Sequence, residues 1–231
     1  YSKGGIETEG SHPRLFRQKQ KGLYSLYLHP IGGQLKLEDF KLLLDELENI
    51  EDAEVRLAMT EGLYIRNLNG SEAERLLKLT EGLGGETRLE QSVACIGVPT
   101  CQIGVLNGQS TLREIVDFFR EKGFTKDILP RVFISGCPNS CGVHEIGSLG
   151  FCGKMKKVDG TLRNVFELHI NGNLGIGRTR LGEYHGDILQ DKVPEFLYEL
   201  AKLVDAAGME FYQWLAGNDE ATKALIEKYN V

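Results

Sequence analysis

No apolar stretch in this chain of 231 residues approaches the ~18 residues that crossing a membrane requires. The N-terminal segment YSKGGIETEG also lacks the apolar core of a secretory signal. A soluble, cytoplasmic protein is expected, with no membrane partner. An excess of basic residues is missing too: 27 Lys and Arg against 33 Asp and Glu leave a net charge of −6, which argues against a broad nucleic-acid surface and a nucleic-acid partner. Internal repeats and low-complexity tracts are absent, and a composition 41% hydrophobic and 26% charged excludes disorder, collagen and a coiled coil. The chain opens on Tyr1 rather than Met, which reads as a fragment or a processed chain with upstream sequence missing.

What is present fits two modest domains. Residues 1–13 read as a linker or tail. The run LYSLYL over 23–28 suits a buried strand ending at Pro30, and Leu37, Phe40, Leu44 and Leu47 recur at helical spacing over about 36–49. Two short strands follow at 54–58 and 62–68, then a helix to about 81 opened by a capping box, Ser71-x-x-Glu74. Strand, helix, strand, strand, helix is half of a ferredoxin-like pattern, and Leu83, Gly84 and Gly85 mark its end, so the expected domains are 14–86 and 87–231. In the second, a helix capped by Thr111-x-x-Glu114 runs to Gly123. Strands are expected at 131–135, 148–152 and 163–170, and helices at about 194–207 and 219–229. The fold class is α+β. Glycine is abundant, 28 residues, as suits a backbone that passes close to something flat or bulky.

Four of the five cysteines form two pairs in loops containing Gly or Pro, Cys95-x5-Cys101 in ACIGVPTC and Cys137-x3-Cys141 in GCPNSC. Four thiolates presented by two loops suit an iron-sulfur cluster, and backbone N–H groups of such loops turn toward the sulfurs and tune the potential. Disulfides fit poorly in a chain without a secretion signal. Structural zinc prefers C-x2-4-C spacing. Cys152, in LGFCGK, reads as a small apolar residue on a packed strand. His144, three residues beyond Cys141, reads as support behind the loop or as surface. His12, His29, His169 and His185 show no ligand spacing.

VACIGVPTC, SGCPNSCG and the later INGN resemble the cluster loops and a glycine turn of the siroheme-dependent, ferredoxin-type nitrite and sulfite reductases. RQKQKGLYSLYLHPIGGQL and EVRLAMTEGLYIRNL resemble the start and paired strands of the second of that family's two internal repeats, so the likeness covers nearly all of residues 14 to 207. It implies a ferredoxin-like half domain followed by a domain for siroheme and a 4Fe-4S cluster. Cys95, Cys101, Cys137 and Cys141 would hold the cluster, and Cys141 would bridge it to the siroheme iron. Asn139 would touch the macrocycle, Gly172 would allow its approach, and the basic segment Gln18, Lys19, Gln20 would face the siroheme and its carboxylates.

The activity implied is six-electron reduction of nitrite to ammonia or of sulfite to sulfide, with electrons entering at the cluster and passing through Cys141. The donor would be a ferredoxin or a reductase, and QKQ with the strand pattern leans toward nitrite. The family's anion pocket takes arginines and a lysine from the first repeat, and Thr60 and Glu61 stand here where those arginines would fall. The single repeat therefore implies a missing first-repeat half, in the same polypeptide or on another chain. Two readings of other classes are a cluster-only electron-transfer or assembly module, distinguished by lack of siroheme absorption, and a zinc-stabilised interaction domain, distinguished by zinc without iron or sulfide.

Overall fold

The computed structural model describes residue 3 and residues 5–231, and they form two units, one ending at Glu86 and the other spanning Thr87–Val231. The first unit contains β1 (Leu15–Arg17), β2 (Tyr24–Leu28), α1 (Leu37–Leu47), β3 (Glu54–Leu57), β4 (Leu63–Leu68) and α2 (Gly70–Leu79). Its sheet has the order β1-β2-β4-β3, every pair antiparallel. β1, a strand not expected from the sequence, immediately precedes the basic segment Gln18, Lys19, Gln20.

The core of this unit collects Leu26, Leu28, Ile65, Leu68 and Leu76, all fully buried. Each contributes about 1.5–3 kcal/mol relative to exposure. Two sequence expectations are corrected. Asn69, not Ser71, caps α2: its side chain accepts from Glu72 N–H while the Glu72 carboxylate accepts from Asn69 N–H. The box is two residues earlier because Asn caps as well as Ser. On α1 Leu43 is buried and Leu47 packs partly buried against the core, whereas Leu37, Phe40 and Leu44 are exposed, so of the stripe read from spacing only Leu47 packs. Nor is the start of the chain only a tail, although residues 1, 2 and 4 lie outside the described residues: Thr8 is buried and its N–H donates to Tyr24 Oη at 3.0 Å.

The second unit contains β5 (Val93–Ala94), α3 (Gly108–Glu121), β6 (Val132–Ser135), β7 (Leu149–Val158), β8 (Thr161–Ile170), β9 (Glu183–Leu189), α4 (Val193–Ala207), α5 (Phe211–Gly217) and α6 (Asp219–Tyr229). The sheet order is β5-β6-β7-β8-β9, parallel through β7 and antiparallel beyond. Asp159 and Gly160 both have positive φ, which fits a tight two-residue hairpin and lets β7 and β8 pair over ten residues each. Asn107, not Thr111, caps α3; its side chain accepts from Ser110 N–H, and Thr111 lies buried within the helix.

Strand alternation gives this sheet two unlike faces. One carries the buried rows Ile134, Phe151, Leu168 and Gly153, Phe166, Ile188. The other carries a row made by register alone: Ser135 beside Cys152, Cys152 beside Glu167, and Glu167 beside Asp187. The end of that row at β6 leads directly into the second cysteine pair.

Candidate functional site

Cys95 leaves β5, and its N–H donates to Ile134 O at 3.0 Å, so the first cysteine loop starts from the sheet. The loop then turns through Gly97, which has positive φ and whose Cβ would fall 2.5 Å from Leu106 O. A side chain there would push the loop off its anchor. Cys101 N–H donates to Gly97 O at 2.8 Å, closing the turn between the two cysteines. Leu106 joins this loop to the next: it accepts from Val98 N–H at 3.2 Å and donates to Gly136 O at 2.8 Å.

The second pair follows β6 in a tight reversal. Ser140 and Val143 adopt φ of 57° and 46° on either side of Cys141 and Gly142. Such conformations cost of order 1 kcal/mol or more for a non-glycine residue and persist only when surrounding contacts enforce them. Gly142 has no room for a side chain, since its Cβ would sit 2.0 Å from Ile134 O.

The two loops meet at sulfur. Gly136 N–H donates to Cys95 Sγ at 3.0 Å. Burial pushes the Cys95 thiol up; N–H groups of Gly136 and Gly97 oppose this, and charge on Cys141 and Cys137 raises it again, which places these three thiols within electrostatic reach of one another. All five cysteines are free thiols. Cys137 is buried, Cys95 and Cys101 are half-buried, and Cys141 is exposed.

Among the described residues, no three His, Cys, Asp or Glu side chains converge as a single metal ion would require. A 4Fe-4S cluster differs, because it takes one thiolate on each of four irons and so needs four sulfurs spread around a larger body. Two loops tied to each other through Leu106 and a backbone N–H already aimed at one sulfur fit that group. Cys152 differs in its place: it is 3% exposed within β7, outside both loops and beside Glu167, and burial, with the Glu167 charge, pushes its thiol up to about 12.

The remaining candidate residues are distributed as follows. Asn139 is exposed, its carbonyl oxygen 4.0 Å from Cys141 Sγ. Gly172 is buried, and its Cβ would lie 2.4 Å from Gly147 O and 2.7 Å from Glu145 O, so the chain itself approaches this glycine. The hairpin there is wider than Gly172 alone, closing through a bridge between Asn173 and Arg180. Gln18, in the first unit, spends its side chain on Asn67, accepting from its N–H at 3.0 Å and donating to its Oδ1 at 3.3 Å. Lys19 and Gln20 are exposed in the turn between β1 and β2, and the Thr60 carbonyl is occupied by His29 Nε2 at 2.6 Å.

His144 is buried. Its Nδ1 lies 2.9 Å from Ser135 Oγ and 3.2 Å from Ser140 Oγ. Burial, then the neighbouring His169 ring 5.0 Å away, holds its proton affinity below the usual imidazole range. The surface reading of His144 is thus corrected, and Ser135 carried no signal in the sequence because its neighbours are chosen by strand register.

No family model matches the chain. It is 25% identical over 219 residues to the sulfite reductase [NADPH] hemoprotein beta-component of Anoxybacillus flavithermus, covering 90% of this chain and 36% of that protein. It is 30% identical over 161 residues to the chloroplastic ferredoxin–nitrite reductase of Betula pendula, covering 65% of this chain and 26% of that one. The structure of the Mycobacterium tuberculosis NirA protein shares the fold at a TM-score of 0.72 and 21% identity, over 92% of this chain and 41% of that chain. The chain thus spans between about a quarter and just over a third of these curated relatives.

Proposed function

We propose, for a chain that belongs to the nitrite and sulfite reductase family, that it is the C-terminal half of a siroheme- and 4Fe-4S-dependent oxidoreductase that reduces nitrite to ammonia or sulfite to sulfide. The observation that carries this reading is the meeting of the two cysteine loops at sulfur, where Gly136 N–H donates to Cys95 Sγ.

Cys95, Cys101, Cys137 and Cys141 would hold the cluster. Cys141 suits the bridging position because it alone of the four is exposed, so its sulfur is open to a group outside the loop. Asn139, beside it on the same exposed turn, would contact the macrocycle; Gln18, Lys19, Gln20 and Gly172 are the other proposed contacts, although Gln18 and Gly172 already have packing roles. When bound, the two cofactors would supply electrons and a metal to hold the oxyanion. The protein's own part is to fix four thiolates, to soften their charge with backbone N–H groups, and to keep Cys152 within β7, outside both loops.

An oxyanion also needs fixed positive groups to hold it and to deliver protons, and those belong to the upstream half, in the same polypeptide or on another chain. The donor would be a ferredoxin or a reductase, and the setting cytoplasmic. The test is a steady-state assay with a reduced viologen dye, on the chain loaded with both cofactors and on the same chain joined to its upstream half. Faster turnover by the joined form is expected. Equal turnover would show that this chain holds a whole active site.

A further inference from the structure

The turn carrying Cys141 is held partly from within, where Val143 N–H donates to Ser140 O at 2.8 Å, but Ser140 and Val143 both have positive φ and the N–H of Ser140 reaches Cys137 O only at 3.4 Å. The side-chain bonds that fasten it come from outside the cysteine pair. Gly142 N–H donates to Ser135 Oγ at 3.1 Å, Ser135 Oγ lies 2.9 Å from His144 Nδ1, and His144 Nδ1 lies 3.2 Å from Ser140 Oγ. One ring nitrogen thereby ties the last residue of β6 to the residue preceding Cys141.

Ser135 Oγ accepts from Gly142 N–H and keeps both its proton and a second lone pair for His144 Nδ1, so the contact forms in either tautomer of the ring. The contact to Ser135 is the shorter and stronger and the one to Ser140 the longer. The ring cannot drift. It is buried, it packs edge to face on His169, and Gly150 lets the His144 carbonyl approach so closely that a Cβ there would stand 2.0 Å away.

We propose that His144 is a positioning residue for the cluster ligand loop, its Nδ1 clasping Ser135 and Ser140 so that Cys137 and Cys141 are presented in one fixed arrangement. The inference rests on the reading of Cys137 and Cys141 as ligands. Sulfurs held at fixed distance and orientation set the electronic state of the metal they bind, so the clasp should register in the cluster's properties and not merely in stability.

The test uses anaerobically purified holoprotein of four kinds: wild type, His144→Phe, His144→Asn and Ser140→Ala. In His144→Asn the amide oxygen takes the place of Nδ1. Iron content, the electron paramagnetic resonance spectrum of the reduced cluster, its midpoint potential and the rate of iron loss to a chelator are read. His144→Phe should lose iron about tenfold faster and show an altered spectrum and potential, His144→Asn should restore most of both, and Ser140→Ala should fall between. Wild-type values in His144→Phe, or a His144→Asn variant as damaged as His144→Phe, would overturn the clasp. If His144→Phe does not fold, Ser140→Ala decides through the same readouts, and wild-type values there would overturn it. Wild type without iron would instead overturn the ligand reading on which the clasp stands.

Discussion

Asp187→Asn should destabilise the second unit by about 2–3 kcal/mol while leaving its shape unchanged. The carboxylate is 2% exposed and receives two ammonium groups, Lys154 Nζ at 2.8 Å and Lys156 Nζ at 2.5 Å. Lys156 also donates to Val231 O, and Asp187 O accepts from Val231 N–H, so the pair fastens the C-terminus to β9. Removing one partner of a buried ion pair costs about 3–5 kcal/mol. The lysine side chains keep 30% and 36% of their exposure, and Lys154 retains Glu167. Water and that second acid therefore absorb part of the loss.

The assay is urea unfolding followed by fluorescence of Trp214, the chain's one tryptophan, which is buried in α5 of the same unit. With slopes of about 1–3 kcal/mol/M, the midpoint should fall by about 1 M near neutral pH. Burial pushes the Asp187 carboxyl up, but hydrogen bonds from Lys154 and Lys156 outweigh it and hold the carboxyl below its usual range. A lowered folded-state pKa gives stability that is complete above the unfolded pKa of about 4 and is lost as pH falls through the folded value. The difference between parent and variant should thus hold steady from pH 7 to about pH 5 and shrink below about pH 4. A midpoint unchanged by the substitution, or a difference that grows in acid, would refute the reasoning.

Serine at Cys95, Cys101 or Cys137 should each lower the iron content of anaerobically purified protein, and retention of full iron in all three would show the ligand set to be wrong. Cys152→Ala should keep its iron and cost on the order of 1 kcal/mol, since it removes only a small buried group; loss of iron there would exchange it for one of the four. Gly142→Ala must move the Ile134 carbonyl or the ligand turn, so iron content should drop well below that of the parent. Full iron with an unchanged absorption spectrum would show that the turn relaxes at little cost.

Much of this protein was legible in sequence because the signals are local. The strands at β2 and β4, the helices α4 and α6, and the pairing of the four cysteines in two loops all follow from apolar period and residue spacing. Two caps were misplaced by a few residues, since Asn69 and Asn107 compete with nearby Ser and Thr that cap equally well in principle. Strands β1, β5 and β9 and helix α5 were not expected: β1 and β5 are only three and two residues long, α5 is seven, and β9 is Glu183–Leu189, whose exposed half alternates weakly.

The sequence by itself determined the pairing of four cysteines in two glycine- and proline-containing loops, because cysteine spacing and glycine placement are properties of a few adjacent residues. Tertiary structure decided how they are held. Ser135, Cys152, Glu167 and Asp187 form one row only because β6, β7, β8 and β9 pair in that register, and a slip of one residue would turn each side chain to the other face. Burial then separates like from like: Cys137 and Cys152 are both buried thiols, yet one sits in a turn at the mouth of the sheet and the other within a strand beside a carboxylate. The fold thereby adds burial and register to the separation of Cys152 from the paired cysteines that spacing had already made.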